Sequence, residues 1–418
     1  MTDLATSWPR IPKDVAAAAQ RVLASNRINY WTGTECRQLE AEYAQYLDVP
    51  YTLTVANGTL ALELALRALR IGAANGGSKT DEVIVPSRTF IATAGAVVAV
   101  GAVPVIADID PATNNLTAVS VAQVTTPRTR AVIAVHLGGY PAPMTEICNF
   151  ADQLDIAVIE DCAQAHGALY QGKPIGSMGD AAAFSFCQEK ILPMGEGGLI
   201  AFSGRKGNSD ATEQFERAWS YRDHGRNYAK AHNQTVSAAS SQFQYLNDSF
   251  GTNARMTEIQ GAMGRELLQL LPQWHSARSS NAAILKRELA DYESVLEFCD
   301  LSDEQMQQGG CHAYYRLYAN LDIKQLNAGW TRDRVIDDAN KLAAAEGVPV
   351  GIVQYGSSAL IGKELAFLRA GIAIPPVLPG AETADATSLA FFVDPGRNGA
   401  DMRQAAQCMA RILQDATT

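Results

Sequence analysis

Apolar residues recur along the first half of the chain in two rhythms, one at helical spacing and one in short unbroken runs. Val15, Ala18, Ala19 and Val22 fall at helical spacing within residues 13–25 and the pattern stops at Ser25-Asn26, which predicts a short helix. Cys36 to Tyr46 predicts a second. An extended segment, Val55-Ala56-Asn57-Gly58-Thr59, runs into a third helix whose face is Leu60, Leu64, Leu66 and Leu69. Unbroken apolar runs follow at Val83–Val85, Pro104–Ala107, Ala131–Val135, Ile156–Ile159 and Ala181–Cys187. Such runs have the length of buried strands. Their alternation with helices over roughly 150 residues predicts a mostly parallel sheet covered on both faces.

The second half reads differently. Residues 204–252 form a polar insertion or surface excursion by composition, with Asn227, Asn233, Gln234 and Ser237-Ala238-Ala239-Ser240-Ser241. Thr257 begins a long helical pattern through Leu271, which Pro272 interrupts and which resumes toward Leu289, predicting a bent helix that bridges into a second domain. Beyond it, Tyr314 to Leu321 and Gly347 to Val353 read as strands, and Arg332 to Ala345 and Asp401 to Gln414 as helices. The expected fold class is α/β, with a large domain over 1–270 and a smaller α+β domain over 271–418.

Composition narrows the function. Basic residues number 34 and acidic ones 44, a formal net charge of −10 with no basic cluster, which argues against a nucleic-acid partner. The seven cysteines are scattered, with neither a CxxC nor metal-ligand spacing, so no metal is expected and the thiols read as buried small hydrophobes in a reducing compartment. The start, MTDLATSWPRIPKD, lacks the pattern of a signal peptide and no stretch is apolar enough to span a bilayer, giving a cytoplasmic, membrane-free expectation.

The candidate chemistry centres on residues 156–202. Glu160 and Asp161 close one apolar run, where open α/β sheets place their chemistry, and Lys190 with Gly195-Glu196-Gly197-Gly198 lies just past the next. Phe184, Phe186, Ile191 and Leu192 flank the lysine, and burial among them favours the neutral amine that attacks a carbonyl. A carboxylate at Asp161 suits a cofactor pyridine nitrogen, and Gln164 suits a ring oxygen. At Asn57-Gly58-Thr59 a helix N-terminus offers N–H groups to an anion, or simply carries an N-cap by Asn57 or Thr59. His166 is better read as structural, since a lysine already serves as base.

With these pieces the chain resembles the DegT/DnrJ/EryC1/StrS aminotransferases, pyridoxal-phosphate enzymes of the aspartate-aminotransferase fold (fold type I) that aminate keto sugars. The resemblance rests on Asn57–Leu62, DEVIVPSRTFIATAGAVVAVGAVPVIADID, VIEDCAQAHGALYQGKPIGSMGD, FSFCQEKILPMGEGG and GTNARMTEIQGAMG, in family order over most of residues 26–270. It implies that Lys190 forms the Schiff base with pyridoxal 5′-phosphate, with pyridoxamine 5′-phosphate as the intermediate form. Asp161 would pair with the ring nitrogen, Gln164 would sit by the ring oxygen and Phe90 would stack on the ring. Gly58, Thr59, Leu60 and Ser185 would hold the phosphate. Asn253 and Arg255 would reach the cofactor of a second subunit, making a homodimer the functional unit. Tyr30, Trp31, Gln188, Glu189 and His224 are candidate substrate contacts, with core packing an equal reading for the two aromatics.

The implied reaction is a ping-pong transfer of an amino group from L-glutamate or L-glutamine to a keto sugar, expected to be nucleotide-linked, in amino-sugar biosynthesis. Cys187-Gln188-Glu189 and Pro193-Met194 depart from the common family residues beside the lysine, a variation that bears on substrate. A related deoxygenating branch carries histidine in place of the lysine, so Lys190 argues against it. Dehydration or decarboxylation on the same scaffold and a non-catalytic cofactor-binding regulator are the rival readings. A nicotinamide dehydrogenase is disfavoured, because no strand–helix junction carries GxGxxG.

Overall fold

The computed structural model of the chain describes residues 8–232, 245–348, 352–353 and 359–417, so the polar residues Asn233, Gln234 and Ser237–Ser241 lie outside the described residues. Seven strands form the main sheet: β1 (Tyr51–Val55), β2 (Glu82–Pro86), β3 (Val103–Ala107), β4 (Thr129–Val135), β5 (Ala157–Asp161), β6 (Ala181–Ser185) and β7 (Gly198–Phe202). Their order is β1-β7-β6-β5-β4-β2-β3. β7 is antiparallel to both neighbours and every other adjacent pair is parallel.

Alternation within each run sorts its side chains to two faces. Ile84, Val132, Val158, Phe184 and Leu199 face a core shared with Leu39 and Tyr43 of α2 (Glu35–Leu47), which follows α1 (Lys13–Ser25). Val83, Val85, Ile133, Ile159 and Ile200 face a second core with Leu62, Leu64 and Leu66 of α3 (Gly58–Ala68) and Val97 of α4 (Ala92–Ala99). Both faces are thus covered, as unbroken apolar strands require.

The reading of 204–252 as a surface excursion is corrected for its first third. Asn208–Arg222 is a helix, α5, that buries Ala211, Phe215, Ala218, Trp219 and Arg222 against the second core. Its apolar stripe is narrow, so average polarity hid a helix whose one face is core.

Glu258–Glu288 forms one helix of 31 residues, α6, opened by a capping box between Thr257 and Gln260. Pro272 stands on its exposed side, where water can satisfy the carbonyl that loses its donor, and the helix runs through. The division expected at 270/271 falls inside this helix. Beyond it a second sheet, order β8-β9-β11-β10, is built from β8 (Leu296–Phe298), β9 (Leu317–Leu321), β10 (Ile352–Val353) and β11 (Ser388–Phe391). It packs with Leu285 and Leu289, with Val335 of α7 (Arg332–Ala345) and with Met409 of α8 (Gly399–Thr417).

The strand expected from Tyr314 begins only at Leu317. Residues 311–316 bond instead to the first half of the chain: Cys311 bridges Leu169, the Ala313 N–H donates to the Gly139 carbonyl at 2.9 Å and the Arg316 N–H to the Gly138 carbonyl at 3.1 Å. Ile361 and Phe367 likewise pack into the second core of the main sheet, and Ala359–Leu360 pairs with Arg88–Thr89. Residues from both halves therefore surround the carboxyl ends of β4 and β5. Among the described residues no helix is long and apolar enough to cross a membrane.

Candidate active site

At those carboxyl ends Val135 and Asp161 are register partners, and Asp161 is in turn the partner of Ala183. A cavity of about 560 Å³ opens there, lined by Asn57 to Leu60, Phe90, Thr93, Asp161, Gln164, Ser185, Cys187, Glu189, Lys190 and Glu196 among others. The structure thus brings together Lys190, Asp161, Gln164, Ser185, Phe90, Gly58, Thr59 and Leu60.

Asp161 is buried and aimed by two donors, the Thr93 hydroxyl at 2.9 Å and the Ala163 N–H at 3.2 Å. Burial pushes its carboxyl above the ordinary range, and the two hydrogen bonds and the nearby Lys190 charge only partly offset this. A carboxylate so placed is short of positive charge. The neighbouring acid, Glu160, takes no part in the cavity. Its oxygens accept from the N–H groups of Gly176 (2.9 Å), Met178 (2.8 Å) and Gly179 (2.6 Å) and from His136 Nε2 at 3.2 Å. His136 Nδ1 accepts from the Ala142 N–H, which fixes the tautomer that donates to Glu160. His136, Glu160 and Cys162 lie close enough to hold a metal, but both imidazole nitrogens and both Glu160 oxygens are already committed to hydrogen bonds.

The far end of the cavity is the N-terminus of α3. Asn57 is its cap, its Oδ1 accepting from the Leu60 N–H at 2.9 Å. The cap therefore occupies one of the expected phosphate donors, and by position the N–H groups of Gly58 and Thr59 have no partner within the helix. Close packing makes this corner. A Cβ on Gly58 would lie 2.7 Å from Ser185 Cβ, and one on Gly198 would strike the Asn57 carbonyl. Phe90 is 55% exposed, its ring bare on the cavity wall.

Lys190 is buried, its backbone carbonyl accepting from Trp8 Nε1 at 3.1 Å and its Nζ lying 4.9 Å from the centre of the Tyr315 ring. Gln164 Oε1 accepts from the Gly138 N–H at 2.8 Å, which orients the amide. His166 is spent on structure: Nε2 donates to the Ser185 carbonyl at 2.9 Å and Nδ1 accepts from the Tyr43 hydroxyl at 2.7 Å. Burial holds it neutral, down to about 4.

Other expected contacts stand apart from this cavity. Tyr30 is core: it is 3% exposed, its hydroxyl donates to Glu40 at 3.2 Å and the Arg222 guanidinium lies 4.2 Å from its ring. Trp31 packs edge-on to Trp219. Gln188 points to solvent, and only Glu189 of that pair lines the cavity. His224 is exposed at φ 60° beside the bridge joining Asp223 to Asn253. Asn253 is exposed and Arg255 is paired with Asp223, and neither lines the cavity of its own chain. The sequence reading missed Thr93, Glu196 and Tyr315. Thr93 sits one helical turn after Thr89, a spacing that could have flagged it; nothing near Tyr315 could.

The donor set fits pyridoxal 5′-phosphate. An acid short of positive charge, an amine, a bare aromatic face and a helix N-terminus walled by a serine meet in one cavity of cofactor size. Comparison with known proteins agrees. A sequence model of the DegT/DnrJ/EryC1/StrS aminotransferase family matches residues 9–343. The erythromycin biosynthesis sensory transduction protein EryC1 of Saccharopolyspora erythraea is 36% identical over 70% of this chain and 72% of its own. The UDP-N-acetyl-3-dehydro-alpha-D-glucosamine 3-aminotransferase of Acidithiobacillus ferrooxidans is 34% identical over 78% of each. The X-ray structure of an aminotransferase from Psychrobacter cryohalolentis superposes with a TM-score of 0.89 at 39% identity, covering 98% of this chain and 99% of that one. The architecture is accordingly that of fold type I pyridoxal-phosphate enzymes. With the family's sequence pattern running through most of the chain and its cofactor's donors assembled in one cavity, the protein belongs to the DegT/DnrJ/EryC1/StrS aminotransferase family.

Proposed function

We propose that this aminotransferase moves the amino group of L-glutamate or L-glutamine to a nucleotide-linked keto sugar by a ping-pong route, as a step in amino-sugar biosynthesis. The observation that carries the reading is the joint placement of Asp161 and Lys190 in a cavity whose other end is the α3 N-terminus. Pyridoxal 5′-phosphate, when bound, supplies the aldehyde that receives the amino group and a ring that withdraws electrons from the donor's α-carbon. Asp161 holds a proton on the ring nitrogen. The Gly58 and Thr59 N–H groups and the Ser185 hydroxyl would hold the phosphate, and Phe90 would cover the ring and exclude water. Lys190 Nζ is the group that would carry the proton removed from the donor's α-carbon, and it would act in the opposite sense with the keto sugar.

The acceptor class follows from relatives such as the Acidithiobacillus ferrooxidans enzyme, whose name states a UDP-linked 3-dehydro sugar. A homodimer belongs to the same reading. Lys190 is the sole cationic side chain lining the cavity among the described residues, so the phosphate needs positive charge from elsewhere. Arg255 of the partner subunit is proposed to supply it, with the amide of Asn253 of the partner subunit as a further hydrogen-bond donor.

The test is to load the enzyme with pyridoxamine 5′-phosphate and offer a panel of nucleotide-linked keto sugars, following the return of the pyridoxal absorption band and the product mass. One or more should be aminated. A panel that stays inert while a free keto cyclitol turns over would reassign the acceptor. Inertness toward every acceptor, with the cofactor chromophore intact, would favour a non-catalytic regulator.

A further inference from the structure

The geometry points to Tyr315 as a positioning residue for Lys190: its ring holds the lysine amine at the cavity, where the proposed proton transfer would need it. This rests on the reading of Lys190 as the proton carrier. Tyr315 is fully buried and its ring centre lies 4.9 Å from Lys190 Nζ, within the range over which an aromatic face attracts a cation. It comes from the segment just before β9, yet its side chain belongs to the first core of the main sheet.

The ring is itself held. The Arg316 guanidinium lies 4.3 Å from the centre of the same ring and 4.0 Å from that of Phe392, and Arg316 Nη1 donates to the Tyr315 carbonyl at 2.8 Å. The backbone on either side is fixed by Arg278 Nη1 donating to the Tyr314 carbonyl at 3.1 Å and by the Arg316 N–H donating to Gly138. Gly138 is the residue whose N–H orients Gln164. At the other end of the lysine, Trp8 holds the backbone carbonyl and packs edge-on to Trp274 at 4.8 Å. The four-carbon stem is thus tethered at its root and its tip.

A ring suits the tip for a chemical reason. A lysine amine released from a covalent bond has several rotamers to explore, and each one that leaves the reacting carbons slows the proton transfer. A hydrogen-bond acceptor could hold the ammonium, but it would compete for the proton to be delivered. An aromatic face attracts the ammonium through its quadrupole and leaves the N–H bonds directed elsewhere. The charged and titratable groups around the amine are Asp161 at the end of β5, Cys187, Glu189 and Glu196 on the lysine's own loop, His166 behind Ser185, the Tyr315 phenol itself, and Arg316 beyond the ring.

The experiment uses the full-length holoenzyme with Tyr315→Phe and Tyr315→Leu, and a fluorinated series at position 315 in which volume barely changes while the ring face loses its negative charge. Tyr315→Phe should keep at least half of kcat. Tyr315→Leu should lose about 5- to 30-fold in kcat, as expected for a cation–π contact partly shielded from water. Its donor KM should stay within about twofold, because the contact acts on proton transfer rather than on donor binding. The isotope effect with α-deuterated donor should rise in Tyr315→Leu. The pH midpoint of the cofactor–Lys190 chromophore should fall, since the ring no longer favours the protonated nitrogen. Should the leucine variant fold poorly, the fluorinated series decides: kcat should fall stepwise with fluorine number. A flat series, or a Tyr315→Phe enzyme as slow as Tyr315→Leu, overturns the inference. If Lys190→Ala were to transaminate at the parental rate, the reading of Lys190 itself would fail, an outcome distinct from a flat series with Lys190→Ala inactive.

Discussion

Glu160 and Asp161 are adjacent in sequence, both fully or nearly fully buried, and turned to opposite sides of the main sheet. Asp161 faces the cavity beside Lys190, and Glu160 faces the turn at 176–179, where three backbone N–H groups and His136 converge on it. Strand alternation alone separates the acid that lines the cavity from the acid that ties down the turn.

The two acids should therefore fail differently when neutralised. Asp161→Asn keeps the shape of the cavity but removes the charge that, in the proposed function, holds a proton on the ring nitrogen. Its kcat should fall by at least about 100-fold with little change in melting temperature, of the order seen when a key electrostatic contact is lost. Glu160→Gln should retain the cofactor spectrum and most of the activity of the protein that folds, while losing about 1–3 kcal/mol of stability in urea unfolding. Equal effects on kcat from both would contradict the split.

Glu160 also gives a pH signature. Burial alone would raise its carboxyl, but the hydrogen bond from His136 and those from the Gly179 and Gly176 N–H groups outweigh this and hold it below its ordinary 4.5. A depressed folded-state value means that the stabilisation is fully present above the unfolded value and is lost as pH falls through the folded one. His166 adds to acid sensitivity from the other direction. Buried neutral down to about 4, it disfavours the folded state progressively as pH falls from 6.5 toward that value. Melting temperature should thus decline from about pH 6 downward, with the part between 6.5 and 4 reduced in His166→Phe if that variant folds and the part below 4.5 reduced in Glu160→Gln. A melting temperature flat from pH 7 to 4 would show that His166 carries no linkage, and a decline below pH 4.5 left unchanged by Glu160→Gln would show that Glu160 carries none.

Gly58 gives a geometric prediction. Gly58→Ala places a methyl 2.7 Å from Ser185 Cβ, so the start of α3 must move away from the serine that shares its corner. Cofactor affinity should fall by about tenfold or more, because the helix N-terminus and hydroxyl no longer converge on one anion. Equilibrium dialysis against pyridoxal 5′-phosphate measures it. Ser185→Gly removes the proposed phosphate hydroxyl along with the clashing Cβ, so it serves as the reference: adding Gly58→Ala to a Ser185→Gly protein should cost little further affinity, and a full further loss would point to strain within the helix instead.

What was legible in the sequence follows from what is local. Asp161 and Lys190 lie at the ends of apolar runs, and a run's end is visible in the sequence itself. The helix at 208–222 was also legible in principle, since Ala211, Phe215, Ala218, Trp219 and Arg222 repeat at helical spacing, but the polar residues between them dominated the average. The fate of Glu160 was not, because it depends on a turn that brings three N–H groups back to one strand end. Nor was Tyr315: its approach to Lys190 requires residues 311–316 to leave their own sheet and bond to Gly138 and Gly139. The same holds for Tyr30, whose polar-looking neighbourhood closes into a core only when Glu40 and Arg222 meet around it.

The proposed sharing of the site between subunits can be tested without a structure of the dimer. Asn253 and Arg255 stand outside the Lys190 cavity of their own chain, with Arg255 anchored to Asp223 and the Asn253 backbone bridged to the same residue. Lys190→Ala should be inactive, and the double variant Asn253→Ala with Arg255→Ala should bind the cofactor weakly. Co-expressed, the two chains form mixed dimers in which one site has its own Lys190 and the intact Asn253 and Arg255 of the partner subunit. Random pairing makes half the dimers mixed, each with one good site of two, so about a quarter of parental activity should return. If Asn253 and Arg255 served only their own chain, that same site would lack them and mixing would add nothing. Mixed dimers isolated through two different tags, and found no more active than the parent variants, would place the phosphate's positive partner elsewhere.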